Sequence, residues 1–268
     1  MSTTSYIVGP TKGFPHTHTV ILLHGRDSDA CEFASEFFEC EASGTAADRT
    51  LTALFPTIRW VFPQARSLRS ERFDVDMSQW FDMWSLEDVQ ERSELQAPGL
   101  RSSVDVVIET IEDEELIVPR QRIVLGGISQ GFATSLAALF GDGKGGFAGL
   151  CGFCSWMPLA TEIASFLRHN LDPSDRLVSM QRLYAGKLEN GRQSAVLDQQ
   201  LQTTPILLEH NQNDPVIAIE NGKGMWDALG ELGFRHVEWH EYEDGEHWIN
   251  EPQGVDDFVN FLRRAVGI

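Results

Sequence analysis

The chain has 268 residues, 42% hydrophobic and 23% charged, which is enough apolar material for a sizeable core and argues against wholesale disorder. Forty acidic against 21 basic side chains give a formal net charge of −19. A surface of that sign repels phosphate backbones and anionic membranes, so roles in nucleic-acid binding or membrane-surface attachment are set aside.

No apolar stretch approaches the ~18 residues that a membrane span needs. Met1 to Tyr6 offers neither a basic nor an apolar leader pattern. A cytoplasmic protein without stable membrane insertion is therefore expected. Four cysteines are too few for a disulfide framework in a chain this long. Cys151 and Cys154 form a C-x-x-C, but they sit in the apolar run 147–154, which reads as a buried strand. Packed, inert thiols are expected there rather than a redox pair or a zinc site.

In chain order, Thr19 to Leu23 is an apolar run that reads as a central buried strand, and Ala30 to Cys40 has helical character. Ile58 to Phe62 is a second strand, stopped by Pro63. Residues 64–99 are polar and irregular, with aromatic residues at Trp80, Phe81 and Trp84. Apolar residues at 104, 107, 108 and 111 predict a helix over 104–117, ended by Pro119. Strands follow at 121–127 and 147–154, with an apolar helix at 130–140 between them. Residues 160–203 are polar and poorly periodic, with a helix near 163–170 and a loop around Gly186–Gly191. They read as an insertion or small lid within a single domain spanning 1–268. The remainder alternates again: a strand at 205–209, a helix at 222–232, an edge-type strand at 237–242 and an amphipathic helix at 255–265. Alternating strands and helices imply an α/β fold, with a mostly parallel sheet covered by helices on both faces.

Gly127-Ile128-Ser129-Gln130-Gly131 matches G-x-S-x-G between a strand and a helix. In that setting the serine sits on a sharp turn and the glycines leave room for crowded backbone. The hydroxyl then stands at a helix N-terminus, which favours developing negative charge. Ser129 is the candidate nucleophile. A neutral serine needs a base, and this fold orders its triad Ser, then Asp or Glu, then His. His247, in the loop between the last strand and the last helix, is the first candidate base, and His240 the second. Asp214, just past the strand at 205–209, is the candidate orienting acid, ahead of Glu209 and Glu220. The oxyanion donors would be the backbone N–H groups of Gln130 and of Arg26 in the loop after the first central strand. An apolar acyl groove is expected from Trp80, Phe81, Trp84, Trp156 and Met157. His247 must be neutral to act, so activity should rise with pH, and Glu241, Glu243, Asp244 and Glu246 would move that rise upward. No H-E-x-x-H and no phosphate loop occurs, so no metal is expected in the chemistry.

Seven segments in order carry a resemblance: Leu22-Leu23-His24-Gly25, Phe62-Pro63-Gln64-Ala65, Trp80-Phe81-Asp82, the Ser129 motif, Trp156-Met157-Pro158-Leu159, Asn213-Asp214 and Gly245-Glu246-His247. Over roughly 17–264 the chain resembles the acyl-protein thioesterase and carboxylesterase group, the phospholipase/carboxylesterase family. The resemblance implies an α/β-hydrolase core without a cofactor. It also implies cleavage of acyl esters or thioesters, on small molecules or acylated proteins. By position it gives the triad roles to Ser129, Asp214 and His247, and the oxyanion roles to Arg26 and Gln130. Three features depart from it: Arg26 where the family has a small apolar residue, Phe132 where it has glycine, and the length of 160–203, similar to fungal paralogues. All three lie near the expected acyl site and bear on the substrate. Acyl transfer with the same triad and a non-catalytic binding role are the alternative readings. The sequence leaves the oligomeric state open.

Overall fold

The computed structural model describes residues 4–45, 47–168, 172–185 and 195–267. Its first elements are β1 (Ser5–Val8), β2 (His18–Leu23), α1 (Ala30–Glu39), α2 (Leu51–Leu54) and β3 (Ile58–Pro63). A hairpin follows, β4 (Ser67–Ser70) and β5 (Val75–Ser78), then α3 (Gln96–Glu115), β6 (Ile123–Ile128), α4 (Gln130–Asp142) and β7 (Gly149–Phe153). Three helices come next: α5 (Ala160–Arg168), α6 (Pro173–Tyr184) and α7 (Ala195–Gln202). The chain closes with β8 (Ile206–Asn211), α8 (Ile219–Glu231), β9 (Val237–Tyr242) and α9 (Gln253–Val266).

The main sheet has seven strands in the order β1-β3-β2-β6-β7-β8-β9. Only β1 runs antiparallel to its neighbour; every other pairing is parallel. The central strands are apolar throughout because both faces are covered. Along β2, Val20 and Leu22 face one core with α1 and α9, while Ile21 and Leu23 face the other with α3, α4 and α6. Val255, Phe258, Val259 and Leu262 form the buried stripe of α9, each contributing about 1.5–3 kcal/mol by leaving water. This mixed, mostly parallel sheet between two helical layers is an α/β-hydrolase fold.

Several elements differ from the sequence reading. α3 begins at Gln96 rather than 104, because Pro98 falls in its first turn, where a missing N–H costs nothing. The 64–99 stretch contains the β4–β5 hairpin. β3 runs through Pro63, which pairs with Ser5 at the edge side of the sheet. Between β7 and β8, α6 buries Leu177, Met180 and Tyr184 in the core. The expected loop around 186–191 lies outside the described residues, as do 169 and 170 of the helix expected near 163–170. Among the described residues, no helix is long and apolar enough to cross a membrane.

Candidate active site

The site is built where the C-terminal ends of β2, β6, β7 and β8 meet the loop after β9. Ser129 links β6 directly to α4 and adopts φ 55° and ψ −126°, a conformation that strains any non-glycine residue. Close packing pins the turn. A Cβ at Gly131 would drive into the Leu23 and His24 carbonyl oxygens, and one at Gly127 would come within 2.5 Å of Leu23 O. The Ser129 N–H donates to Phe153 O (2.8 Å), and the Ser155 hydroxyl donates to Ser129 O (2.7 Å). The elbow is thereby tied to the end of β7 and to the residue two positions beyond it.

Gln130, the first residue of α4, has an N–H with no carbonyl a turn earlier in the helix to receive it. The Arg26 N–H has no partner among the described residues. The Gln130 side chain braces a neighbouring segment instead. Its Oε1 accepts the Trp80 N–H and its Nε2 donates to Phe81 O, both at 2.8 Å. Arg26 reaches away under the hairpin, donating from Nε to Gln79 Oε1 (3.0 Å) and from Nη2 to Ser70 Oγ (3.2 Å). Its backbone and its side chain thus belong to different parts of the site.

Asp214 lies in the loop after β8 with a fully buried side chain. Its Oδ1 accepts the N–H groups of Val216 (2.8 Å) and Ile217 (2.9 Å). Its Oδ2 accepts His247 Nδ1–H at 2.7 Å and shares the His210 Nε2–H, at 3.3 Å, with Ile217 O at 2.9 Å. Burial pushes this carboxyl up, but hydrogen bonds from His210 and His247 outweigh it and hold the group well below the usual carboxylate range. These bonds favour the ionised form of Asp214.

Side chains at the end of β8 and just beyond it hold the His247 loop. Asn211 Nδ2 donates to Glu246 O (2.9 Å) and Trp248 O (2.6 Å), the carbonyls on either side of the histidine. The Glu246 N–H donates to Asn213 Oδ1 (2.9 Å). His247 and Ser129 line one cavity of about 390 Å³, with Phe33, Met77, Val216 and Trp248 on its apolar walls. Within the described residues, neither the Ser129 hydroxyl nor His247 Nε2 has a hydrogen-bond partner. Such contacts commonly tighten only around substrate.

The other sequence candidates fall elsewhere. His240 sits on β9 with Nδ1 2.9 Å from Asp257 Oδ2. Glu209 is buried with neither carboxylate oxygen bonded, and Glu220 lines a second cavity of about 420 Å³ between α5 and α8. Trp156 and Met157 line that second cavity too. Trp80, Phe81 and Phe132 are packed in the core, Phe132 against Gly152. Trp84 is half-buried beneath the Arg92 guanidinium. The walls beside Ser129 come instead from Phe33, Phe73, Met77, Val216 and Trp248. For Val216 and Trp248 a signal existed, since they adjoin Asp214 and His247 in sequence. Cys151 and Cys154 are buried and free.

Residues 6–172, well over half of the chain, match the phospholipase/carboxylesterase family model. The chain is 29% identical over 256 residues to acyl-protein thioesterase 1 of Yarrowia lipolytica, covering 94% of this chain and 93% of that one. It is 27% identical over 273 residues to acyl-protein thioesterase 1 of Emericella nidulans, covering 99% and 97%. In structure it is similar to Zea mays acyl-protein thioesterase 2, with a TM-score of 0.70 at 22% identity over 99% of this chain and 100% of that one. At those identities the structural likeness speaks for the fold alone. The sequence match across the first strands, the Ser129 elbow and β7 carries the assignment: this chain belongs to the phospholipase/carboxylesterase family.

Proposed function

We propose that this protein is a serine hydrolase that cleaves carboxylic ester or thioester bonds of acyl substrates through an acyl-enzyme. Ser129 is the nucleophile, His247 the general base and Asp214 the acid that orients it. The observation that carries this reading is the 2.7 Å bond from His247 Nδ1 to the buried carboxyl of Asp214, on a histidine that shares a cavity with the strained Ser129.

In the neutral form that donates Nδ1–H to Asp214, His247 has its free Nε2 as the proton acceptor. That nitrogen takes the Ser129 proton as Oγ attacks the carbonyl carbon. The oxyanion that forms accepts the N–H groups of Arg26 and Gln130. The imidazolium then passes its proton to the departing thiolate or alkoxide. Water, activated by the same nitrogen, releases the acid. The Phe33, Met77, Val216 and Trp248 walls suit the apolar part of the substrate. The fungal relatives' names, acyl-protein thioesterase 1, support a thioester among the substrates. The same reading takes the chain as one α/β-hydrolase domain working in the cytoplasm, where its free cysteines stay reduced.

The test is hydrolysis of nitrophenyl esters and of an acyl thioester by wild type, Ser129→Ala and His247→Ala. Each variant should lose about 10⁴-fold or more in kcat. With an alcohol added as competing acceptor, free acid should remain the product. Folded wild type that cleaves none of these substrates, or variants that keep the wild-type rate, would overturn the reading.

A further inference from the structure

The proposed reaction leaves one buried nucleophilic group beside the triad unused. Cys154 directly follows β7, is 1% exposed, and has a φ of 49°, so its backbone is held in the left-handed region like that of Ser129. Its Sγ lies 3.4 Å from Trp248 O and 3.7 Å from Asn211 Nδ2, inside the hydrogen-bonded frame that carries His247. One ligand atom each from Cys154, Asp214 and His247 lie within 4.8 Å of one another. We propose that these three side chains form a binding site for a thiophilic divalent cation of the Zn²⁺ type, and that its occupancy switches the hydrolase off.

The donor set is a sulfur, an imidazole nitrogen and a carboxylate oxygen, the ligand types that Zn²⁺ takes. In a tetrahedral site such atoms stand about 3.2–3.7 Å apart. The His247 Nδ1 to Asp214 Oδ2 contact must therefore open by about 0.5 Å, and Sγ must approach by at most about 1 Å. Two of the ligands are already oriented. The other oxygen of Asp214 is fixed by two backbone N–H groups, and the His247 loop is fixed by Asn211. Charge also balances: a thiolate and a carboxylate neutralise a dication, so the buried site carries no net charge. A merely packed thiol would be surrounded by apolar groups, whereas this one faces a carboxylate, an imidazole and a carboxamide.

The protons can be followed. Free, the Cys154 thiol is pushed up by burial and by the Asp214 charge, so it is protonated at neutral pH. Coordination removes that proton to solvent, one per metal bound. The metal takes the place of the Nδ1 proton on His247, which moves to Nε2. An imidazole protonated at Nε2 cannot accept the Ser129 proton, so hydrolysis stops. Only this inhibitory consequence rests on the proposed triad; the binding itself does not.

The experiment uses the full chain with Co²⁺ or Zn²⁺ as the only added metal. Wild type should bind one Co²⁺ with a sulfur-to-cobalt charge-transfer band, release one proton at neutral pH, and lose ester hydrolysis reversibly to Zn²⁺. Cys154→Ser should lose the band and weaken Zn²⁺ inhibition at least ten-fold. Cys31→Ser, which alters an exposed thiol, should change neither. Ser129→Ala should be inactive yet keep the band, which separates failure of this site from failure of the triad. No band in wild type at saturating Co²⁺, or a band and Zn²⁺ sensitivity that survive in Cys154→Ser, overturns the proposal. If Cys154→Ser does not fold, the wild-type band and proton release decide alone, and the absence of either is a refutation.

Discussion

Asn211→Ala should cost more activity than its distance from the chemistry suggests. The Asn211 side chain is fully buried, and its Nδ2 donates to both carbonyls that bracket His247, at 2.9 and 2.6 Å, where the Cys154 thiol is the weaker second donor at 3.9 and 3.4 Å. Removing it deletes two hydrogen bonds worth about 1 kcal/mol each and leaves two carbonyls without that partner, so a loss of about 2–4 kcal/mol in stability is expected. For a chain of this size that is a fall in Tm of roughly 5–12 °C. The histidine loop also loses its orientation toward Asp214. A misplacement of about 1 Å can reduce kcat by about 10²-fold. The assay pairs thermal unfolding with ester hydrolysis at saturating substrate. Asn211→Leu, of similar volume, should behave like Asn211→Ala, since neither can donate. A variant with wild-type Tm and kcat would show that the loop holds itself, and the reasoning would fail.

Other outcomes follow from the same packing. Gly131→Ala should abolish soluble expression or lower Tm sharply, because the added methyl meets the Leu23 and His24 carbonyl oxygens; circular dichroism melting checks it. Gln130→Ala should cost about 2–4 kcal/mol in a denaturant titration, as it frees the buried Trp80 N–H and Phe81 carbonyl. Glu209 is buried without hydrogen-bond partners among the described residues, so burial, then the Asp257 charge, raise its carboxyl well above the usual range. A group raised in the folded state contributes stability at low pH and loses it as pH climbs from the unfolded value toward the folded one, at about 1.4 kcal/mol per pH step of one. Glu209→Gln should therefore gain Tm relative to wild type at pH 8 but little at pH 5. An equal difference at both pH values would contradict that assignment.

Much of the fold was legible because buried parallel strands are uninterrupted apolar runs, as in Thr19 to Leu23 and Ile206 to Leu208. The hairpin was not. Its strands, Ser67–Ser70 and Val75–Ser78, are short and largely exposed, so no core demanded a pattern from them. The start of α3 was hidden by Pro98 and Gly99, which look like breakers. Yet Pro98 sits in the first turn, and Gly99 is needed because a Cβ there would come within 2.9 Å of Phe81 Cα. The buried spacing at 177, 180 and 184 on α6 was masked by polar neighbours. At the site, the motif around Ser129 and the chain order pointed to Asp214 and His247, which the fold brings into contact. The cavity walls were harder to read. Bulk marks an aromatic residue as apolar without saying which way it turns, and Phe33, Phe73 and Met77 reach Ser129 only through long-range packing.

The central claim is that Ser129 is the nucleophile, and the most direct test is peptide mapping after reaction with a fluorophosphonate. The account predicts one adduct per chain, on Ser129, lost in His247→Ala. Folded, ester-hydrolysing protein that carries no adduct, or carries it on another residue, would contradict it.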